Sequence, residues 1–145
     1  MDKFEISSNK EREMMEIVFR KMKITDYDFT PSDGDDRHDG TFNSGTHKIM
    51  FEVKVRNIYQ HEHKDTVIET SKYEYMQKAS KNIGAVPMLF IFFKGERFLL
   101  ECLNKTYKTK KMKAPRTTSD TKRSNMVTKN FILIPITEDN TYNLY

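Results

Sequence analysis

The sequence predicts a single α/β domain in which helices flank a mixed β-sheet. Three observations support this fold class: a first segment with helical periodicity, a run in which apolar and charged residues alternate, and a second helical segment followed by two apolar strands. The length of 145 residues suits one domain, residues 1–145. Hydrophobic residues make up 37% and charged residues 32%, and the ten Phe and seven Tyr indicate a folded rather than a disordered chain.

The chain begins with a predicted helix over about residues 10–23. Its apolar residues recur three and four positions apart and form one stripe, which consists of Met15, Val18, Phe19 and Met22. A short strand is expected near residues 27–30, and a polar loop follows it. Two Asp-Gly pairs in this loop, at residues 33–34 and 39–40, indicate turns or strand ends.

A β-hairpin is predicted over residues 41–57, with its turn at residues 43–45. In the second strand, apolar residues alternate with the series Met50, Glu52, Lys54 and Arg56. Side chains two residues apart in a strand lie on the same face, so Glu52 and Lys54 are neighbours. A half-exposed strand with a solvated ion pair explains this pattern as well as a functional site does.

A second helix is predicted over about residues 67–82 and ends before Gly84. Two strands follow, "AVPMLFIFFKG" and "RFLLECLN", and the first is apolar on both faces, as in the centre of a covered sheet. Residues 105–130 are basic and poor in apolar side chains, which predicts a long mobile loop or arm. A final strand is expected at residues 131–136, in which Pro135 indicates a sheet edge.

Each predicted helix directs an ionisable side chain toward its apolar face. Lys72 falls inside the stripe of the second helix, and Glu11 lies on the apolar face of the first, with Glu16 beside that face. A lysine that extends to the surface and a half-exposed glutamate are the ordinary explanations for such positions. Because the hairpin adds Glu52, three elements direct ionisable groups inward, which favours a shared site.

Asp39, Glu52 and Lys54 resemble the D-x(n)-E-x-K motif of the PD-(D/E)XK nuclease superfamily, which includes archaeal Holliday-junction resolvases and many phage and restriction endonucleases. The predicted αβββαβ order is similar to the restriction-endonuclease-like core of that family and spans about residues 10–103. The segment that starts at Glu11 resembles the acidic first helix of the resolvases, and "IETSKYEYM" resembles the helix after the E-x-K strand. The basic segment and the last strand are additions to this core.

Two positions in the motif stay open. His38 stands where the family's namesake proline would stand, and Asp36 is a nearby alternative to Asp39 as the first acid. On the first helix, Glu16 is the alternative to Glu11.

The resemblance implies a Mg²⁺-dependent endonuclease that hydrolyses phosphodiester bonds in DNA, with Mn²⁺ as a substitute metal and branched DNA such as a Holliday junction as a candidate substrate. By the same resemblance, Asp39 and Glu52 bind the metal together with the backbone carbonyl of Val53. Lys54 would position or activate the attacking water. Glu11 would add a metal ligand or orient a water.

Contacts with phosphate are expected from Lys72, from Arg56 and from the basic segment. This segment contains nine Lys and Arg residues against one acid, Asp120, so positive charge is concentrated there. The side chains expected to bind DNA are Lys108, Lys110, Lys111, Lys113 and Arg116. A solvated loop without a target is the alternative. Since cleavage of two strands calls for two active sites, a homodimer is the expected assembly.

Other sequence features bear on the cellular compartment, on zinc binding and on the alternatives to an enzyme. A single cysteine, no signal-peptide pattern and no apolar run long enough to cross a membrane predict a reducing compartment, such as the cytoplasm of a bacterium or of a phage-infected cell. His61 and His63 lack the further ligands that a tetrahedral zinc site needs. Two alternatives to an enzyme remain: a non-catalytic nucleic-acid-binding protein that retains the nuclease fold, and an interaction domain with a solvated strand face.

Overall fold

The computed structural model describes residues 3–31, 38–116 and 126–145. The elements in chain order are α1 (Lys3–Lys21), β1 (Tyr27–Phe29), β2 (Gly40–Ser44), β3 (His47–Val55), a 3₁₀ turn (Gln60–Glu62), β4 (Asp65–Glu69), α2 (Thr70–Asn82), β5 (Ala85–Phe93), β6 (Arg97–Cys102), β7 (Thr109–Pro115), β8 (Met126–Pro135) and β9 (Thr141–Asn143). The α/β fold class, with a mixed sheet and flanking helices, is confirmed. No helix in the described parts of the chain is both long and apolar enough to span a membrane.

The main sheet has six strands in the order β1-β2-β3-β5-β6-β9. Strands β3 and β5 are parallel, from Lys48↔Ala85 to Val55↔Phe92, whereas every other pair in this sheet is antiparallel. Two parallel neighbours need a crossover connection, and β4 together with α2 provides it. The crossover carries α2 across the face of β3 and β5.

Each face of the main sheet has its own apolar cluster. On one face, α1 contributes Phe19, which packs against Phe51, and Phe51 in turn packs against Phe90. On the other face, Met76 of α2 lies in a cluster with Met50 of β3. Because side chains alternate along a strand, Phe51 points toward α1, and Met50, Glu52 and Lys54 point toward α2. The polar face of β3 is therefore covered rather than solvated.

The second helix begins later than predicted. Residues 67–69 form the end of strand β4, and the helix starts at Thr70. The reason is tertiary pairing: β4 is antiparallel to β8, with Ile68 opposite Ile132 and Glu69 opposite Phe131. The first helix begins at Lys3 rather than near residue 10.

The prediction of a mobile basic loop over residues 105–130 was wrong for the described part of that segment. Strand β7 and the first half of β8 lie there and pair from Thr109↔Ile132 to Pro115↔Met126. Strands β4, β8 and β7 make a second, three-stranded sheet in that order. The last predicted strand is therefore longer than residues 131–136 and central in its sheet, with Pro135 at its end rather than on an edge. Residues 117–125 lie outside the described residues.

A glycine next to Asp39 fixes the close approach of three strands. An added Cβ at Gly40 would lie 2.6 Å from Cζ of Phe51 and even closer to the backbone oxygen of Asp28. Gly40 sits opposite both Phe29 and Phe51 in the sheet. Any side chain here would separate β1 from β2 or displace the buried Phe51 ring.

We expect Gly40→Ala to lower the free energy of unfolding by about 1–3 kcal/mol, because the methyl group overfills a packed position. Urea denaturation measures this loss. Ser44→Ala, at an exposed position of the same strand, is the control and should stay within about 0.5 kcal/mol of wild type. Equal stabilities for the two variants would contradict the close packing described for Gly40.

Candidate active site

Glu52 is the buried centre of a cluster of charged side chains. It lies in the middle of β3 and is 3% exposed. The ammonium of Lys72, which α2 carries, lies 3.0 Å from Oε2, and the ammonium of Lys54 lies 3.8 Å from Oε1. A buried carboxylate is costly unless cations or hydrogen bonds compensate it. Two lysines from different elements provide the positive charge here.

The pairing of Glu52 is incomplete in one respect. Lys72 is within ion-pair distance of Oε2, yet this oxygen accepts no directed hydrogen bond from the described residues, so the approach of the ammonium falls outside hydrogen-bond angles. A buried oxygen without a hydrogen bond is unusual in native proteins and calls for an explanation. A lone pair left free in a cluster of acids suits a group that binds a cation from outside the chain.

Asp39 brings a second carboxylate to Glu52. It immediately precedes β2, and its Oδ2 accepts a hydrogen bond of 2.6 Å from the backbone N–H of Val53. The backbone N–H of Asp39 donates to the carbonyl of Phe51, which anchors the residue on the strand that carries Glu52. Asp36, the alternative acid, lies outside the described residues.

The proximity of Asp39 shifts the protonation of Glu52. Burial, followed by the charge of Asp39, raises the pKa of Glu52 to about 8, although Lys72 and Lys54 lower it. A hydrogen bond with the Asp39 carboxyl raises it further. Two carboxylates in one low-dielectric site cannot both ionise cheaply without a bound cation. The folded, metal-free site therefore favours a proton on Glu52.

Glu11 reaches the same cluster from α1. Burial, followed by the charge of Asp39, raises the pKa of Glu11 to about 7, while Lys54, Arg56 and Lys72 act in the opposite direction. Glu16 is exposed. Of the two glutamates considered for this helix, Glu11 is the partly buried one, and it interacts electrostatically with Asp39.

Arg56 follows β3 on the side of Glu52 and Lys54. Its guanidinium donates a 3.1 Å hydrogen bond to the carbonyl of Val67 in β4. Burial lowers the pKa of Arg56, and the charge of Glu11 partly offsets this effect. The hydrogen bond holds the cation at the border of the cluster.

The acids suit a hard divalent cation. Among the described residues, no group of three or more His, Cys, Asp and Glu side chains could hold a metal ion by itself. Mg²⁺ is usually bound by one or two carboxylates and keeps several waters, so such a group is not required. The Asp39–Glu52 pair, with the free acceptor capacity of Oε2, fits this mode. The carbonyl of Val53 as a further ligand stays a prediction.

Two contacts beside the cluster were not predicted from the sequence. His38 Nδ1 lies 3.0 Å from the hydroxyl of Tyr75, which ties the segment before Asp39 to α2. Lys129 of β8 lies 2.8 Å from Oε1 of Glu69. Burial raises the pKa of Glu69, but hydrogen bonds and charge from Lys129, with smaller help from Ser71 and Lys54, outweigh it and lower the pKa.

The remaining predicted site residues lie apart from the cluster. They are exposed cations on or beside β7 of the small sheet: Lys108, Lys110, Lys111, Lys113 and Arg116. The structure thus separates a buried acidic and basic cluster around Glu52 from an exposed basic strand. The pair of Glu69 and Lys129 lies between the two regions.

The fold is similar to that of Hjc from Archaeoglobus fulgidus, described as a Holliday junction resolvase from an archaeal hyperthermophile. The match has a TM-score of 0.57 and 12% sequence identity, and it covers 88% of this chain and 87% of Hjc. At this identity the likeness shows a shared restriction-endonuclease-like fold. No protein-family model matches the chain, and no curated protein matches it significantly in sequence.

Glu52→Gln should remove part of the pH dependence of stability in the metal-free protein. The pKa of Glu52 is 4.5 in an ordinary setting and about 8 in the fold. Between these values the folded state holds a proton that the unfolded chain releases, so the wild-type free energy of unfolding falls as pH rises. The loss amounts to a few kcal/mol at most. Urea denaturation in EDTA at several pH values measures the slope.

The matched control for this experiment is Glu16→Gln, an exposed glutamate that should keep the wild-type slope. A shallower slope is expected for Glu52→Gln, with Glu11 responsible for the remainder. Parallel curves for wild type and Glu52→Gln would mean that Glu52 does not carry the shifted proton.

Proposed function

We propose that this protein is a Mg²⁺-dependent endonuclease that hydrolyses phosphodiester bonds in DNA. The observation that carries the proposal is the buried Glu52, which adjoins the carboxyl of Asp39 and lies within 4 Å of two lysine ammonium groups. Acids that hold a cation and lysines that approach a bound anion are what metal-assisted phosphodiester hydrolysis needs.

Asp39 and Glu52 would hold the Mg²⁺, and the bound ion would supply polarisation of the scissile phosphate and a lower pKa for the attacking water. The chain's own residues do the rest. Lys54, whose 3.8 Å contact with Glu52 is loose, positions that water and stabilises negative charge on the phosphate. Glu11, with its raised pKa, orients a water or accepts its proton.

Two further cations complete the proposed substrate contacts. Lys72 approaches the phosphate from α2, opposite the strand that carries Lys54. Arg56 binds a neighbouring phosphate, since a guanidinium pairs well with phosphate oxygens. On the small sheet, the exposed cations from Lys108 to Arg116 bind the DNA backbone without regard to sequence.

The likeness to a structure described as a Holliday junction resolvase supports the nuclease assignment and favours branched DNA as the substrate. We propose a homodimer because resolution of a junction requires two cuts and the described residues of each chain form one such cluster. Mn²⁺ should replace Mg²⁺, since both prefer oxygen ligands. The reducing cytoplasm is the proposed location, in line with the single cysteine.

Incubation with branched and linear DNA tests this proposal directly. Wild type should cut in Mg²⁺ or Mn²⁺ and not in EDTA, and Lys54→Ala and Glu52→Gln should each reduce the cleavage rate by about 100-fold or more. Affinity for DNA in EDTA should stay within a few-fold of wild type for both variants. Single-turnover cleavage and fluorescence anisotropy measure the two effects.

Lys48→Ala is the matched control, because Lys48 lies on the same strand and the same face as Lys54 but is exposed at its far end. It should cut at the wild-type rate. Binding without cleavage by wild type in every divalent metal would identify a binding protein that retains the fold. If wild type neither binds nor cleaves DNA, the remaining interpretation is an interaction domain.

A further inference from the structure

Strands β7 and β8 extend past the rest of the small sheet as a two-stranded ribbon. Pairing between β4 and β8 stops at Glu69↔Phe131, whereas pairing between β7 and β8 continues to Pro115↔Met126. We call residues 111–115 and 126–130 the ribbon. At about 3.3 Å per residue, its five residue pairs extend roughly 17 Å beyond Glu69. Among the described residues, these five positions of β8 pair only with β7.

The two faces of the ribbon differ in chemistry. Residues directly opposite each other in an antiparallel pair share a face. One face, which we call the polar face, carries Lys111, Lys113, Thr128 and Asn130, all exposed, and ends with the Pro115–Met126 pair farthest from Glu69. The other face carries Met112, Ala114, Val127 and Lys129, all partly buried. The exposed cations of the ribbon, Lys111 and Lys113, therefore lie on one face.

The base of the ribbon is fixed close to the Glu52 cluster. Lys129 pairs with Glu69 at 2.8 Å, and Glu69 directly precedes the helix that carries Lys72. The charge of Lys54 helps to lower the pKa of Glu69, which places Glu69 within electrostatic range of the cluster. A nucleic acid with a phosphate in the cluster would therefore run past the ribbon.

The dimensions of the ribbon match those of duplex DNA. The major groove is about 12 Å wide and admits a two-stranded β-ribbon. The ribbon's length of roughly 17 Å corresponds to about five base pairs at a spacing of 3.4 Å. Residues 105–116 and 126–136 contain no Asp or Glu, so no carboxylate in these segments opposes the approach of phosphates.

We propose that the polar face of the ribbon enters the major groove of duplex DNA within about five base pairs of the cleaved bond. Lys111 and Lys113 contact phosphates at the groove walls. Thr128 and Asn130 reach base edges, which their hydroxyl and amide groups can bind. The proposal rests on the proposed function for the position of the cut, but the groove contact is independent of catalysis.

A matched pair of double variants tests the contact through the polar face. Lys111→Ala/Lys113→Ala removes two charges from the polar face, and Lys78→Ala/Lys81→Ala removes two charges from exposed positions of α2. Duplex affinity is measured by anisotropy in EDTA across a range of salt concentrations. The first variant should bind at least tenfold more weakly at about 0.1 M salt, with the slope of log K against log salt less negative by about 1.8.

The second variant should keep nearly wild-type affinity. Equal losses of DNA affinity for both variants would indicate diffuse electrostatic attraction instead of a groove contact and would overturn the proposal. No loss of affinity for either variant would overturn it as well. Thermal unfolding of each variant excludes misfolding.

A second experiment on wild type distinguishes the two grooves of DNA. Glucosylation of 5-hydroxymethylcytosine, which fills the major groove, should block binding, whereas distamycin in the minor groove should not. The reverse result would overturn the proposal.

Failure of this proposal is distinguishable from failure of the proposed function. Binding is measured without divalent metal, whereas cleavage requires it. Wild type that binds through the polar face but never cuts DNA would retain the ribbon contact and lose the endonuclease assignment. If wild type cuts DNA and both double variants bind DNA equally well, the endonuclease assignment is retained and the ribbon contact is overturned.

Discussion

The contact between Glu52 and Lys72 is the interaction on which the architecture around the site depends. Glu52 stands on a central strand and Lys72 on the helix that covers that strand, and their contact at 3.0 Å spans the two layers. The contact exists because β3 and β5 are parallel and the crossover between them must pass over the sheet. A hairpin connection between these strands would leave Glu52 without the helix and its lysine.

The Glu52 cluster combines several features that ordinarily lower the stability of a folded protein. A buried ion pair is weak evidence for stability, since well-packed apolar residues often serve as well or better. Here the arrangement goes further, because Glu52 and Glu11 both have raised pKa values and one oxygen of Glu52 lacks a hydrogen bond. Local rules of folding are broken most often at functional sites. The concentration of such exceptions around one carboxylate distinguishes this surface from an ordinary charged strand.

Patterns within single elements were predictable from the sequence, whereas pairing between distant segments was not. The alternation around Glu52 and Lys54 and the helical position of Lys72 were sufficient to predict that these side chains share one region. Residues 67–69 were assigned to a helix because their true partner, β8, begins more than fifty residues later. Strand β7 was predicted to be part of a loop because three of its seven residues are Lys. The Glu69–Lys129 pair, sixty positions apart, had no local signal at all.

The pairing of β4 with β8 also imposes an order of events on biosynthesis. Strand β4 leads directly into α2, so the helix that brings Lys72 to Glu52 gains its full lateral support only after the ribosome has passed Pro135. Domains fold largely as the chain emerges, with early segments waiting for late partners. A nascent or prematurely terminated chain would hold the acidic residues without a firmly docked lysine. Assembly of the full Glu52 cluster is therefore expected to follow the synthesis of β8.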